Sequence, residues 1–351
     1  MCPFSSKGKA KYKIIENTTQ YSGDKKCIFE FMVKIFYGNR PYVLYIIPIL
    51  VGVYAILNYF VPYHFPEQIT RFGFWGDLIP QTSSFSMIFA PALVIISAIL
   101  LNTTFNKHDF LGRNRYITSL LYITFLSYFH TFYFLDGFSL AQLFVILALR
   151  QTFKLNQNED GRKTVFNISF LLGVASSFYP LLLLSIPFVF WIIWVLRPFI
   201  LRESILTLIG FIIPLAYSGV YQMFFDYRMD SADFSSNALE LNFPDIAILT
   251  GLVFFLGLFS VKTYFLRLKV ASIRLRKLFN IILMLLLFTL AFSVLPYFLF
   301  NKKEALALVF IPAVFILTYA FGFKTQRLLP TFTFYLVFLF SVGKFFVSLN
   351  L

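Results

Sequence analysis

The sequence predicts an all-α fold: a polytopic transmembrane helix bundle of about 11 spans, within a range of roughly 10–12, with the N-terminus in the cytoplasm. Three observations lead there. Of 351 residues, 59% are hydrophobic and 13% charged, against roughly 45–50% and 25% in soluble domains. Apolar windows of about 20 residues, the length needed to cross a bilayer, recur along the chain. The basic residues, which carry the net charge to +14, gather in alternate loops.

The apolar windows fall at 42–62, 84–101, 116–134, 138–153, 164–178, 180–196, 205–225, 245–261, 278–298, 305–323 and 329–349. Basic loops are retained on the cytoplasmic side of a membrane. With the N-terminus inside, 25 of the 30 Lys and Arg residues fall on that side; Arg71, Arg228, Lys302 and Lys303 lie outside and Lys344 within the last span. The window 164–196 reads either as one long tilted helix or as two short helices turning at Ser176-Ser177-Phe178-Tyr179-Pro180. One helix would invert everything downstream and put most later cations outside, so the charge pattern favours the hairpin.

Residues 1–40 form a cytoplasmic segment, and 41–351 one transmembrane domain. Between Lys25 and Tyr37, Ile28, Phe29, Phe31, Met32, Ile35 and Phe36 gather on one side at helical spacing, predicting an interfacial helix over 25–37. No apolar signal-peptide core precedes it. Cys2 and Cys27 fall on the cytoplasmic side, where thiols stay reduced.

Pro48, Pro91, Pro187, Pro214 and Pro312 interrupt spans, read first as ordinary kinks and second as breaks in discontinuous helices around a midplane substrate site. Ser169, Gly173 and Ser177 repeat at four-residue spacing, a stripe of small side chains suited to close helix packing. No acidic residue lies in the middle of a span, and Lys344, five residues from the outer end of its span, is expected to snorkel to the interface. Ion-coupled transport needs ionisable groups at membrane depth, so this scarcity argues against it.

The three histidines, His64, His108 and His130, have no pairwise ligand spacing, and His108 falls on the opposite side from the others. Neither a metal nor a cofactor is expected. Nucleotide-binding and hydrolase motifs are absent. On the outer side, polar residues gather in two loops: His64, Glu67, Arg71, Trp75 and Asp77 in one, and Asp226 to Asp245 in the other. Transfer from a polyprenyl-phosphate sugar needs a carboxylate base and cations for the leaving phosphate. Glu67 or Asp77 with Arg71 or Arg228 would meet that need.

On the inner side, Lys262, Arg267, Lys269, Arg274, Arg276 and Lys277 alternate with apolar residues, as in a topology-fixing loop that can also meet anionic lipid. Nucleic acid is not an expected partner of so short a loop.

From Met32 to about residue 220 the chain resembles a family of Bacteroidota inner-membrane proteins, a domain of unknown function. Met32-Val-Lys-Ile-Phe-Tyr-Gly-Asn39-Arg40-Pro41, Phe105-Asn106-Lys107-His108 through Arg113-Asn-Arg115-Tyr116, Ala148-Leu-Arg150, Gly173 to Pro180, and Leu196-Arg197-Pro198-Phe199 with Arg202-Glu203 carry the resemblance. Family members usually begin near Met32, which implies that the first 31 residues are an extension or precede the true start. Members are sometimes labelled beta-carotene monooxygenases. That chemistry resembles a four-histidine iron site, which three histidines on two sides of a membrane do not build.

The resemblance implies a bacterial inner-membrane location and places Arg40, Arg113, Arg150, Arg197, Arg202 and Glu203 on a cytoplasmic rim that anchors the protein or docks a partner. The leading expectation is an accessory component of envelope biogenesis without catalysis of its own, with the bilayer and a second envelope protein as partners. An outer-face transferase or polymerase of polyprenyl-linked glycans comes second, and a lipid or small-solute transporter third. Whether the protein is an enzyme is left open by the sequence.

Overall fold

The computed structural model describes residues 35–36, 42–62, 72–76, 84–108, 110–111, 115–155, 160–196, 200–225, 243–300, 303–322 and 328–347. Every regular element among them is helical. The α-helices are α1 (Val43–Phe60), α2 (Ser84–Lys107), α3 (Ile117–Leu126), α4 (Gly137–Thr152), α5 (Arg162–Phe178), α6 (Ile186–Leu196), α7 (Leu201–Phe225), α8 (Phe243–Val270), α9 (Ile273–Phe300), α10 (Phe310–Leu317) and α11 (Leu328–Val347). Short 3₁₀ turns join several of them, including Gly73–Trp75, His130–Phe132, Pro180–Ser185 and Lys303–Val309.

Seven helical stretches among the described residues are long and apolar enough to cross a membrane. Their exposed faces carry large apolar side chains such as Tyr45, Ile88, Phe224, Phe254 and Leu339, so the solvent that suits this surface is lipid and the chain is a multi-pass membrane protein. Each predicted window carries a helix, but not always one unbroken helix. The 116–134 window is the ten-residue α3 followed by a 3₁₀ turn, and the 305–323 window is the eight-residue α10 between two 3₁₀ turns.

These two short helices are the centre of the bundle, because every residue of each is buried. A helix without a lipid face loses the usual need to span in regular form, since its backbone polar groups can be satisfied by neighbours. Thr118 and Thr318 hydroxyls meet across the pair at 3.3 Å, and the Tyr319 hydroxyl donates to the Phe110 carbonyl at 2.8 Å. Around them stand Phe105, Phe110, Phe153, Phe279 and Phe315, with Phe105 and Phe110 stacked and the other pairs edge-on or tilted. Phe36 is also buried there, and its carbonyl accepts from the Tyr116 amide at 2.8 Å. It therefore faces protein, while the rest of the 25–37 segment apart from Ile35 lies outside the described residues.

α5 and α7 approach one another closely. A Cβ on Gly173 would stand 2.6 Å from the Phe211 carbonyl oxygen, and one on Gly210 would stand 2.9 Å from that of Phe166. Only glycine permits this approach. The stripe Ser169, Gly173 and Ser177 is buried, as its spacing predicts. Because residues 166 and 169 meet 210 while 173 meets 211 and 214, the two helices run parallel. The chain must therefore reverse twice between them, which is what a hairpin at Tyr179-Pro180 followed by a turn after Leu196 achieves. Tyr179 is extended at φ −134° and ψ 92°, and Pro180 opens the following 3₁₀ turn.

Proline positions follow the same economy. Pro48, Pro91 and Pro214 lie inside long helices, whereas Pro187 and Pro312 stand in the first turns of α6 and α10, where no backbone N–H is needed.

Candidate functional site

The ends of the bundle differ chemically. At one end stand Arg150, Arg162, Lys163, Arg202 and the α8–α9 turn with Lys262, Arg267, Lys269, Arg274, Arg276 and Lys277. Arg202, Lys262, Arg267, Lys269, Arg274 and Arg276 are exposed, while Arg150 and Lys277 are half-buried. The Arg276 guanidinium is committed to the turn itself, donating to the carbonyls of Ala271 at 2.9 Å and Lys269 at 3.0 Å. Glu203 is buried at 3% exposure in the first turn of α7. Its expected place on a docking rim is therefore corrected: the carboxylate faces the packed interior.

The opposite end holds a different set of side chains. His130, Asp136 and Glu304 each bring one ligand-capable atom within 4.8 Å of the others. Local structure fixes each of them. His130 lies in the 3₁₀ turn after α3, its ring stacked on Phe134 at 4.9 Å. Asp136 is the N-cap of α4 in a reciprocal capping box: Oδ1 accepts from the Ser139 amide at 2.6 Å, and the Asp136 amide donates to the Ser139 hydroxyl at 3.2 Å. Glu304 lies in the first turn of Lys303–Val309 and is half-buried, so it forms the accessible side of the group. The Leu135 amide donates to the Ser86 hydroxyl at 2.9 Å, tying this turn to α2.

Tyr179, at the α5–α6 reversal, completes the cluster. Both carboxylates act electrostatically on its hydroxyl, which is buried with no hydrogen-bond partner. Its ring stands edge-on to Phe138 at 5.0 Å, two residues after the cap of α4. Nearby, the 3₁₀ turn Gly73–Trp75 wedges over the ends of α5 and α7. The Trp75 indole donates to Ser177 at 3.0 Å and its ring lies 6.0 Å from Phe178 and 5.1 Å from Tyr221. Gly73 adopts φ +61°, and a Cβ there would collide at 2.5 Å with the Phe178 carbonyl oxygen.

Within a turn of the cluster begins an apolar cavity of about 50 Å³ between α4, α5, α6 and α9. Leu182, three residues after Tyr179, and Leu308, four after Glu304, form its near wall, and Thr152 its far end. Half-buried Leu172, Ile192 and Phe288 mark where it approaches the lipid-facing surface.

Lys344 departs from its expected position. It is 3% exposed, donates to the Ser127 carbonyl, and stands 4.7 Å, 5.6 Å and 5.0 Å from the ring centres of Tyr128, Tyr133 and Phe345. The snorkelling expectation is corrected, because α11 packs its last turn against residues 127–133 and their carbonyl and ring faces replace water. Among the described residues Lys344 and Arg115 are thus both buried cations, so charge inside the bundle is less scarce than the span boundaries imply.

Of the residues expected from sequence, Arg40, Glu67, Arg71, Asp77, Arg113, Arg197 and Arg228 lie outside the described residues. The sequence reading missed the cluster because it sought paired histidines, whereas the group takes one histidine with two carboxylates. One signal was available: Asp136-Gly137-Phe138-Ser139 before an apolar run is a helix start, which sets Asp136 level with His130. Comparison of this chain with protein-family models, with curated proteins and with solved structures finds no match.

Proposed function

We propose that this multi-pass protein works in a bacterial inner membrane, with the basic end in the cytoplasm, as an outer-face transferase acting on a polyprenyl-phosphate-linked glycan. The observation that carries the reading is the polar cluster His130, Asp136, Glu304 and Tyr179 at the end of the bundle opposite the exposed cations, where a polar head can meet the cluster while an isoprenoid tail stays in the bilayer against the apolar outer faces of the helices. The resemblance to Bacteroidota inner-membrane proteins and the one-sided distribution of cations support the location and orientation.

In the transfer, the acceptor hydroxyl oxygen attacks the sugar's anomeric carbon. The bond from that carbon to the phosphate oxygen breaks, the phosphate leaves with the electron pair, and the hydroxyl proton passes to a carboxylate. The step needs a base and a positive charge at the leaving phosphate. Carboxylates of the cluster can take a proton or, with the imidazole, hold a cation; Glu67, Asp77, Arg71 and Arg228 remain proposed contributors from the outer loops. Glu304→Gln is isosteric at a half-buried position. The expected result is normal membrane expression with surface glycan reduced at least tenfold. Unchanged glycan in Glu304→Gln, Glu67→Ala and Asp77→Ala would overturn the reading.

A second reading, an accessory component of envelope biogenesis without catalysis, is favoured by the exposed cations Arg202, Lys262, Arg267, Lys269 and Arg274 at the other end. It expects a stable partner after mild detergent extraction, lost on substitution of Arg202 or Arg197. Retention of the same binding partners by both variants would count against it.

A further inference from the structure

We propose that His130, Asp136 and Glu304 form a binding site for one divalent transition-metal ion, Zn²⁺ or Mn²⁺. This deepens the transferase reading and rests on it only for the role of the ion, not for its binding. Three lines of geometry carry it. The donor atoms lie within 4.8 Å of one another, while bonds of about 2.0–2.2 Å around one tetrahedral ion put its ligands about 3.3–3.6 Å apart, so side-chain rotations that draw the donors together by about 1–1.5 Å would seat a metal. The donor chemistry, one imidazole nitrogen with two carboxylate oxygens, suits zinc or manganese better than calcium or magnesium.

The second line is the support behind each ligand. The Ser139 amide holds Asp136 Oδ1 at 2.6 Å, fixing the carboxylate at the helix cap, and Phe134 fixes the imidazole plane. Such partners orient ligands before an ion arrives. The third line is the Tyr179 hydroxyl. It is 94% buried by the residue's 6% exposure, has no hydrogen-bond partner, and is acted on by both carboxylates. A polar atom placed so completely in apolar packing is expected to find a ligand there, either the ion or a water on it. Three protein donors leave an open coordination position on the half-buried Glu304 side, where the departing phosphate of a lipid-linked substrate would bind the ion.

The test uses the full chain in detergent, stripped with EDTA and dialysed against ZnCl₂ or MnCl₂, with bound metal counted by mass spectrometry. One ion per chain is expected for the wild type and for Asp160→Asn, whose carboxylate lies by Arg162. Glu304→Gln and Asp136→Asn should bind at least tenfold more weakly. Should Asp136→Asn lose its helix cap and fail to fold, Glu304→Gln carries the comparison. Equal metal content in the wild type and Glu304→Gln, or no bound ion in either, overturns the site. A metal-free wild type whose glycan phenotype still depends on Glu304 sinks the site and spares the transferase reading; a Glu304-dependent ion with no glycan phenotype does the reverse.

Discussion

Lys344 tests how much a single buried charge contributes to this fold. Its ammonium exchanges water for the Ser127 carbonyl and three aromatic faces. A charge-assisted hydrogen bond contributes about 1.5–3 kcal/mol, and a desolvated cation–π contact about 2. Lys344→Ala should therefore lower stability by about 2 kcal/mol in denaturant titrations of the detergent-solubilised protein. A snorkelling lysine would change it by under about 0.5 kcal/mol. The same burial predicts that Lys344 resists amine-reactive reagents in the folded protein, and ready labelling would contradict the packed position. From sequence this residue looked interfacial because its distance from the span's end was legible, whereas the turn that receives it, residues 127–133, comes more than 200 residues earlier.

Helix pairing gives predictions at the scale of elements. Gly173→Ala sets a Cβ 2.6 Å from a backbone oxygen of α7, which cannot rotate away, so a loss of about 1–3 kcal/mol is expected. Gly219→Ala meets nothing within 4 Å and should be neutral or stabilising by about 0.5–1 kcal/mol. Equal effects of the two would show that α5 and α7 do not approach as described. The parallel register has its own check. In a background with Cys2 and Cys27 changed to Ser, the pair Ser169→Cys and Gly210→Cys should form a disulfide on oxidation, since a Cβ on Gly210 lies 3.2 Å from that of Ser169. Persistence of both free thiols would favour an unbroken 164–196 helix and an inverted α7. The small-residue spacing made the packing face legible, and positive-inside counting favoured the hairpin, yet the identity of the partner helix depended on the whole bundle.

For the whole molecule the question is which end meets which compartment. Asp160 lies exposed between α4 and α5 at the basic end, and Phe225 is exposed at the last residue of α7, one turn beyond the Tyr221 that meets Trp75. Single cysteines at these positions, in the same Cys-free background, should react oppositely with a membrane-impermeant maleimide. Position 225 is expected to label in intact spheroplasts and position 160 only after permeabilisation. The reverse pattern would turn the protein over and place the His130 cluster in the cytoplasm, ending an outer-face role. Labelling of both from one side would contradict the placement of these residues at opposite ends.

By itself the sequence determined the solvent, the helical class, the approximate position of each helix and the gathering of basic residues in alternate loops. All of these follow from local composition: apolar runs demand lipid, and lipid demands that backbone hydrogen bonds close within helices. It even set His130, Asp136 and Glu304 on one side. Only the tertiary structure decided that they converge, because Glu304 is brought to the others by contacts between the 303–310 segment and residues 129–142, such as the Gln142 amide donating to the Ala307 carbonyl, 165 residues apart in sequence, and Phe129 facing Phe310 at 5.8 Å. The same packing made α3 and α10 short and wholly buried and closed water off from Lys344. Hydropathy registers how apolar a segment is; which apolar segments surround which polar groups is decided by the fit of side-chain volumes across distant helices.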